Sequence, residues 1–258
     1  MFADKTVIVS GTGPGLGLTM AKMFAEEGAN VVLASRNLDY IEEVAADIND
    51  SGGSAIAVQT DVTDQALCDS LADRAIAAFG SIDVLVNNAF NHGGFKALCD
   101  LDIDTEWQPT FDVNVTGTLR LVRSVAPALK LSAGAIVNIN TFRIREPALG
   151  SGAYCSSKGA LQNLSRTLAL ELGPENIRVN NVMPGYIDSD QLRAHFDRVA
   201  AEEGVSADVV VKRLISTQAL GFIPSSREVA EAVLFLASTR ASAITGASLD
   251  VNAGLIIP

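Results

Sequence analysis

The feature that most constrains this chain is a repeated switch between short, continuously apolar runs and longer amphipathic ones. Thr6-Val7-Ile8-Val9-Ser10, Val31-Val32-Leu33-Ala34, Ala55-Ile56-Ala57-Val58, Ile82-Asp83-Val84-Leu85-Val86, Ala135-Ile136-Val137-Asn138-Ile139, Ile177–Val182 and Ser248-Leu249-Asp250-Val251 read as strands. Runs without polar alternation are strands buried on both faces, which places them in a parallel sheet between two helical layers. Apolar residues at helical spacing predict helices over 16–27, 38–48, 66–79, 104–131, 153–172 and 229–237. Right-handed crossovers then make a doubly wound α/β fold, whose ligands bind beyond the carboxyl ends of the strands.

No linker, repeat or low-complexity tract divides the 258 residues, so residues 1–258 read as a single domain. The least regular stretch, Asp188–Ile223, follows the sixth strand. It reads as a substrate-covering lid at the ligand edge, or as a helical insertion that only packs.

Composition narrows the function classes. With 48% apolar and 19% charged residues there is material for a packed core, and disorder is excluded. The net charge of −11 repels a polyanion, so no nucleic-acid partner is expected. Cys68, Cys99 and Cys155 are scattered and odd in number, which fits buried small hydrophobes in a reducing compartment better than disulfides or a metal site. Every long apolar stretch is broken before about 18 residues, so no membrane span is expected. The beginning Met1-Phe2-Ala3-Asp4-Lys5 carries no secretion signal, and the expected location is the cytoplasm.

Gly11-Thr12-Gly13-Pro14-Gly15-Leu16-Gly17 joins the first strand to the first helix. A helix N-terminus presents unpaired N–H groups and a positive dipole end, and absent side chains let the backbone approach a pyrophosphate. No Gly-Lys-Ser/Thr follows, so this is not a Walker loop. The spacing is Gly11-x-x-x-Gly15-x-Gly17, and it is read as dinucleotide binding.

At the tip of the second strand, where a carboxylate would hold the adenosine ribose, the chain has Ser35-Arg36-Asn37. A guanidinium there binds a 2′-phosphate with two hydrogen bonds and stacks on adenine. NADP(H) is therefore favoured, with NAD(H) possible because the glycine loop itself has no basic residue.

Tyr154 and Lys158 open the helix after the fifth strand at i, i+4, on one helix face. A nearby ammonium stabilises phenolate, which would let Tyr154 exchange a proton with an alcohol or ketone near neutral pH.

Taken in order, Gly11-x-x-x-Gly15-x-Gly17, Asp61-Val62, Asn87-Asn88-Ala89, Asn114, Tyr154-x-x-x-Lys158 and Pro184-Gly185 resemble the short-chain dehydrogenase/reductase family. The resemblance covers nearly the whole chain, through Gly246–Asn252. It implies a Rossmann-like sheet, hydride transfer between a nicotinamide cofactor and a secondary alcohol or ketone, and a homotetramer built on the helices flanking the fifth strand.

The resemblance also implies roles. Tyr154 matches the general acid/base, and Lys158 the residue that lowers its pKa and binds the nicotinamide ribose. Asn114 matches the asparagine that anchors a relay water to Lys158. Asp61 and Val62 match residues beside the adenine, and Asn88 and Ala89 the stretch under the cofactor. Pro184, Gly185 and Ile187 match the loop at the nicotinamide, with Ser189 where threonine is usual.

Three departures stand out. Thr141 occupies the position of the family's serine; it keeps the hydroxyl that polarises a carbonyl but restricts its rotamer. Phe90 replaces a glycine, and its ring goes to the cleft wall or the core. Phe142-Arg143-Ile144-Arg145 follows Thr141 where small residues are common; one arginine could meet a substrate carboxylate, or both could make surface pairs. Phe90, Phe142, Tyr186 and the 188–223 segment would wall a cleft for an apolar or aromatic alcohol or ketone. His92 is read as a loop residue, and His195, Trp107 and Cys155 as structural. The rivals are an NAD-dependent alcohol dehydrogenase of the same fold, and a nucleotide-binding regulator or scaffold weakened in catalysis at Thr141 and Phe90.

Overall fold

Seven parallel strands make one sheet in the computed structural model, which describes residues 1–257. They are β1 (Thr6–Ser10), β2 (Asn30–Ser35), β3 (Ser54–Gln59), β4 (Val84–Asn87), β5 (Ala135–Ile139), β6 (Arg178–Pro184) and β7 (Ser248–Val251). Their order is β3-β2-β1-β4-β5-β6-β7, and every pairing is parallel. The order reverses between β1 and β4, so the loops after these two strands diverge and leave a crevice at the carboxyl edge.

The apolar runs explain both layers. Along β1, Val7 and Val9 enter one core with Met20, Phe24, Ile41 and Val233, while Ile8 enters the other with Leu71, Leu121, Ile136 and Leu168. Alternate side chains of a strand point to opposite faces, so only a run apolar at every position serves both. The first core is covered by α1 (Leu16–Glu26), α2 (Leu38–Asp50) and α9 (Ser226–Ala237). The second is covered by α3 (Gln65–Phe79), α5 (Thr118–Ser132) and α6 (Gly152–Leu172). Each fully buried Val, Leu or Ile contributes roughly 1.5–3 kcal/mol.

Helix ends follow local chemistry. Asn37 caps α2 and Asp64 caps α3, and Gly80 closes α3 in the left-handed conformation. Ser225 and Glu228 form a reciprocal capping box on α9.

Three details depart from the sequence reading. The helix expected over 104–131 is helical throughout, but α4 (Gln108–Phe111) lies between two π turns, Ile103–Trp107 and Asp112–Gly117, before α5 begins. The second π turn carries Asn114, and a Cβ on its Gly117 would stand 2.7 Å from Val62 Cγ2, so the helix must thread a narrow gap there. The irregular segment after β6 contains two helices, α7 (Asp190–Glu203) and α8 (Ala207–Ile215). Cys68 and Cys155 are buried, but Cys99 is exposed in the loop after β4.

A polar ladder crosses the carboxyl half of the sheet. Asn87, Asn138, Asn181 and Ser248 occupy one register across β4–β7. Asn87 Nδ2 donates to Asn138 Oδ1 (2.8 Å), Asn138 Nδ2 to Ser165 Oγ (2.8 Å), and Ser165 pairs with Asn181 Oδ1 (2.9 Å). Most buried amides are paired in this way, and through Ser165 the ladder ties α6 to the strands beneath it. Among the described residues no helix is long and apolar enough to cross a membrane, and no cluster of His, Cys, Asp and Glu could hold a metal.

Candidate active site

The predicted residues fall into two adjoining groups along the carboxyl edge. The first lines a groove of about 400 Å³ over the β1–β4 switch point: Gly11, Leu16, Gly17, Ser35, Arg36, Asp61, Val62, Asn88, Ala89 and Phe90.

Its floor is built by contacts only glycine permits. Gly11 has φ +77°, and a Cβ there would collide with the backbone nitrogen of Ala89. A Cβ on Gly17 would press on the Gly11 carbonyl oxygen. Asn88 Nδ2 donates to that same oxygen at 2.8 Å, so the loops after β1 and β4 hold each other in place. Gly15, at φ +94° on the N-cap of α1, instead faces open space, as does Gly13. The result is a helix N-terminus with bare backbone on its open side, which fits a pyrophosphate.

At the adenosine end Arg36 is exposed and, among the described residues, forms no ion pair with a carboxylate. Asp39 lies in the first turn of α2, away from the strand tip. Asp61 accepts from the Thr63 N–H and hydroxyl (2.9 and 2.7 Å), and the first of these bonds holds its carboxyl below the usual range.

The second group surrounds the ends of β5 and β6. Thr141 is buried and caps a short 3₁₀ turn, Phe142–Ile144, accepting from Arg143 N at 3.3 Å. Asn140, not singled out in the sequence, accepts from Thr141 N (2.9 Å) and donates to the Lys158 carbonyl (3.2 Å), tying the two segments together. Tyr154 is half-buried on the first turn of α6. Desolvation pushes its phenol up to about 12, against the pull of a hydrogen bond with Thr141. Lys158 is buried, donates to the Ile139 carbonyl at 2.7 Å, and is pushed down to about 7 by desolvation.

Asn114 is buried, and its side chain is fully hydrogen-bonded. Its Oδ1 accepts from Asn91 N (2.7 Å), and its Nδ2 donates to Asn91 O (2.8 Å) and Ser157 Oγ (2.9 Å). Among the described residues no hydrogen bond joins it to Lys158; its link to α6 runs through Ser157, which in turn donates to the Tyr154 carbonyl.

The cleft wall is aromatic. His92 stacks on Tyr154 (centroids 4.7 Å apart) and on Phe95 (4.5 Å), and Phe90 meets Tyr154 edge-on at 6.3 Å. Phe90 is 57% exposed, so its ring lies outside the core. Phe142 is buried and packs against Tyr186 at 5.3 Å. His92 was read as a plain loop residue; only the fold brings it onto Tyr154.

Pro184 is buried at the end of β6, and Gly185 packs against Asn252, where a Cβ would approach within 2.8 Å. Ile187 packs on the first core, and Ser189 caps α7 by accepting from Leu192 N. None of these four lines the groove over the switch point.

A groove under a glycine loop at the switch point, with a tyrosine, a threonine and a buried lysine at the neighbouring strand ends, is the arrangement expected of a nicotinamide-dependent oxidoreductase. Comparison with known proteins agrees. A family model described as enoyl-(acyl carrier protein) reductase matches residues 11–256. Trans-4-hydroxycyclohexanecarboxylate dehydrogenase of Sinomonas cyclohexanicum is 33% identical, over 98% of this chain and 93% of its own. The 7alpha-hydroxysteroid dehydrogenase of Escherichia coli K12 is 32% identical, over 97% and 93%. Among solved structures, NAD+-bound xylitol dehydrogenase superposes with a TM-score of 0.88 at 30% identity, covering 97% of this chain and 98% of that one. A short-chain type dehydrogenase/reductase from Mycobacterium ulcerans gives 0.89 at 27% identity, covering 98% and 90%. The chain belongs to the short-chain dehydrogenase/reductase family and is an NAD(P)-dependent enzyme acting on CH–OH or C=O groups.

Proposed function

We propose that the protein interconverts a secondary alcohol and its ketone on an apolar or aromatic body, with NADP(H) preferred. The observation that carries the chemistry is the convergence of three groups at the end of β5: the Tyr154 phenol on the first turn of α6, the buried Thr141 hydroxyl and the buried Lys158 ammonium held by the Ile139 carbonyl. Gly13, Gly15 and the α1 N-terminus would hold the pyrophosphate, Arg36 and Ser35 the adenosine phosphate, Asp61 and Val62 the adenine side, and the Pro184–Ser189 loop the nicotinamide end. When bound, the nicotinamide supplies or accepts the hydride.

The chain's own part is the proton and the orientation. In reduction Thr141 donates a hydrogen bond to the substrate oxygen, and Tyr154 delivers its Oη proton to that oxygen; in oxidation Tyr154 takes the proton back. Lys158, when charged, offsets the burial that raises the phenol. Asn114 acts as a positioning residue, holding Asn91 and the Ser157 turn. Aromatic faces at Phe90, His92 and Phe142 favour an apolar ring, a reading supported by relatives named for ring alcohols.

The 188–223 segment serves as the lid, and α5 and α6 build a homotetramer; Leu131 and Leu170, 92% and 80% exposed, supply apolar surface to such contacts. A monomeric mass in light scattering rejects the tetramer.

The decisive test of the cofactor reading is a fluorescence titration with NADPH and NADH. NADPH binding tighter by about 10-fold or more, lost in Arg36→Ala, supports the phosphate argument. Equal or tighter NADH binding shows that Arg36 faces solvent and the enzyme is NAD(H)-dependent. Binding of neither, with no turnover, returns the scaffold alternative.

A further inference from the structure

We infer that Arg143 and Tyr186 form a binding site for a carboxylate carried by the substrate, remote from the carbon that reacts. The inference rests on the reading that Tyr154 and Thr141 meet the reacting oxygen.

The two arginines after Thr141 have opposite fates. Arg145 is committed: its Nη1 contacts both carboxylate oxygens of Asp250, at 2.8 and 2.9 Å. Arg143 has no carboxylate partner among the described residues, although acidic side chains outnumber basic ones 30 to 19 in this chain. It is half-buried, and its guanidinium lies 4.5 Å from the Phe142 ring centre and 5.4 Å from that of Tyr186. Its Nη2 donates to Tyr186 Oη at 2.6 Å, and Nη1 reaches the Glu146 carbonyl at 3.4 Å. A partly desolvated cation held only by neutral groups is incomplete, and such a group is usually matched by an anion.

The guanidinium stands at the strand end that carries the reactive hydroxyls. Arg143 N donates to Thr141 Oγ1 at 3.3 Å, and its side chain lies over Phe142 and Tyr186 just beyond. An anion beside it therefore shares that strand end with the reactive hydroxyls.

The geometry selects a carboxylate. Tyr186 Oη accepts from Arg143, which leaves its own proton free to donate. A guanidinium edge and one phenol proton suit a planar carboxylate. A phosphate brings a second charge, and nothing else cationic is paired to this site, while the net charge of −11 disfavours it further. The apolar body would rest on Phe142 and the His92–Tyr154 stack.

The test uses cyclohexanecarboxylate as an unreactive probe and cyclohexanecarboxamide as its neutral counterpart, titrated calorimetrically into the full chain saturated with cofactor. Alongside, kcat and KM are measured for 4-hydroxycyclohexanecarboxylate and its methyl ester. The carboxylate should bind about 10-fold or more tightly than the amide, and Arg143→Ala should remove about 10- to 100-fold of that preference. The acid-to-ester ratio of kcat/KM should collapse by the same factor, with the loss carried in KM. Arg143→Lys, which keeps the charge without the fork, should recover part of it, and Arg145→Ala should keep the full ratio. Melting curves confirm that each variant is folded. Turnover of acid and ester at a ratio that Arg143→Ala leaves within twofold overturns the inference and spares the enzymatic reading. Carboxylate binding that Arg143→Ala abolishes, in a protein that oxidises neither probe, supports the anion site and counts against the alcohol-oxidising assignment instead.

Discussion

Lys158 aims its ammonium at the carbonyl of Ile139, 2.7 Å away, while the centre of the Tyr154 ring stands 5.9 Å from the same Nζ. The lysine is thus anchored to the end of β5 and makes no hydrogen bond to the phenol among the described residues. A charge so placed is costly: the side chain is 3% exposed, and one backbone carbonyl is its only hydrogen-bond partner among the described residues.

That cost has a pH signature. Burial lowers Lys158 from 10.5 to about 7, so between those values the unfolded chain holds a proton that the folded chain has released. Stability from this group therefore rises with pH across the window and is lowest below pH 7. Lys158→Met should stabilise the ligand-free protein at pH 6 by on the order of 1–3 kcal/mol, raising its melting temperature, and the gain should shrink toward pH 10. Thermal melts at the two pH values check it; a variant less stable than wild type at pH 6 rejects it.

The hydroxyl pair makes separable predictions. Tyr154→Phe removes the transferable proton and should cost roughly 10²- to 10⁴-fold in kcat while NADPH titration stays within about twofold of wild type. Thr141→Val should cost about 10²-fold or more through the lost donor, whereas Thr141→Ser should stay within about 10-fold because the hydroxyl survives. Equal losses for serine and valine would show that Thr141 matters only as the cap of the 3₁₀ turn.

The glycine loop divides into a structural and a binding glycine. Gly11→Ala drives a methyl into the Ala89 backbone at φ +77°, so it should destabilise the fold by about 2–4 kcal/mol. Gly15→Ala meets no neighbouring atom and carries only the strain of its positive φ, about 1–3 kcal/mol, yet a methyl on the N-cap of α1 should weaken dinucleotide binding there. Melting temperature and NADPH titration on both variants separate the effects. A Gly15 variant that binds NADPH like wild type would remove this glycine from the site.

The strands were legible because burial on both faces leaves a run with no polar alternation, and all seven appear within about two residues of where the runs lie. The strand–glycine–helix junction was legible for the same local reason. The π turns were not: Asn114 distorts its helix because of Asn91 and Ser157, partners 23 and 43 residues away. Nor could the sequence choose between Arg143 and Arg145, since the choice belongs to Asp250, 105 residues on. The α7 helix is different, because its signal was present and overlooked: Ser189 as cap, Leu192, Phe196, Val199 and Ala200 at helical spacing, and Gly204 closing the end at φ +68°.

That helix is where the enzyme should be least rigid. Phe196, Ala200 and Val210 form a small cluster of their own with α8, apart from both cores that clamp the sheet. The ion pairs Arg193–Asp188 and Arg213–Glu203 are exposed, and such pairs contribute little. The cluster's attachment runs through the chain at its two ends, where Asp188 N donates to Pro224 O and Leu220 N to Ala253 O. A unit with few buried apolar groups opens at a free energy below the global one. Amides of 190–215 should therefore exchange faster than those of β1 and β5 in hydrogen-exchange mass spectrometry. They should slow when cofactor and an alcohol are both bound, as a closing lid requires. Protection equal to that of the central strands without ligand would make α7 and α8 a packed insertion and leave the cleft permanently open or shut.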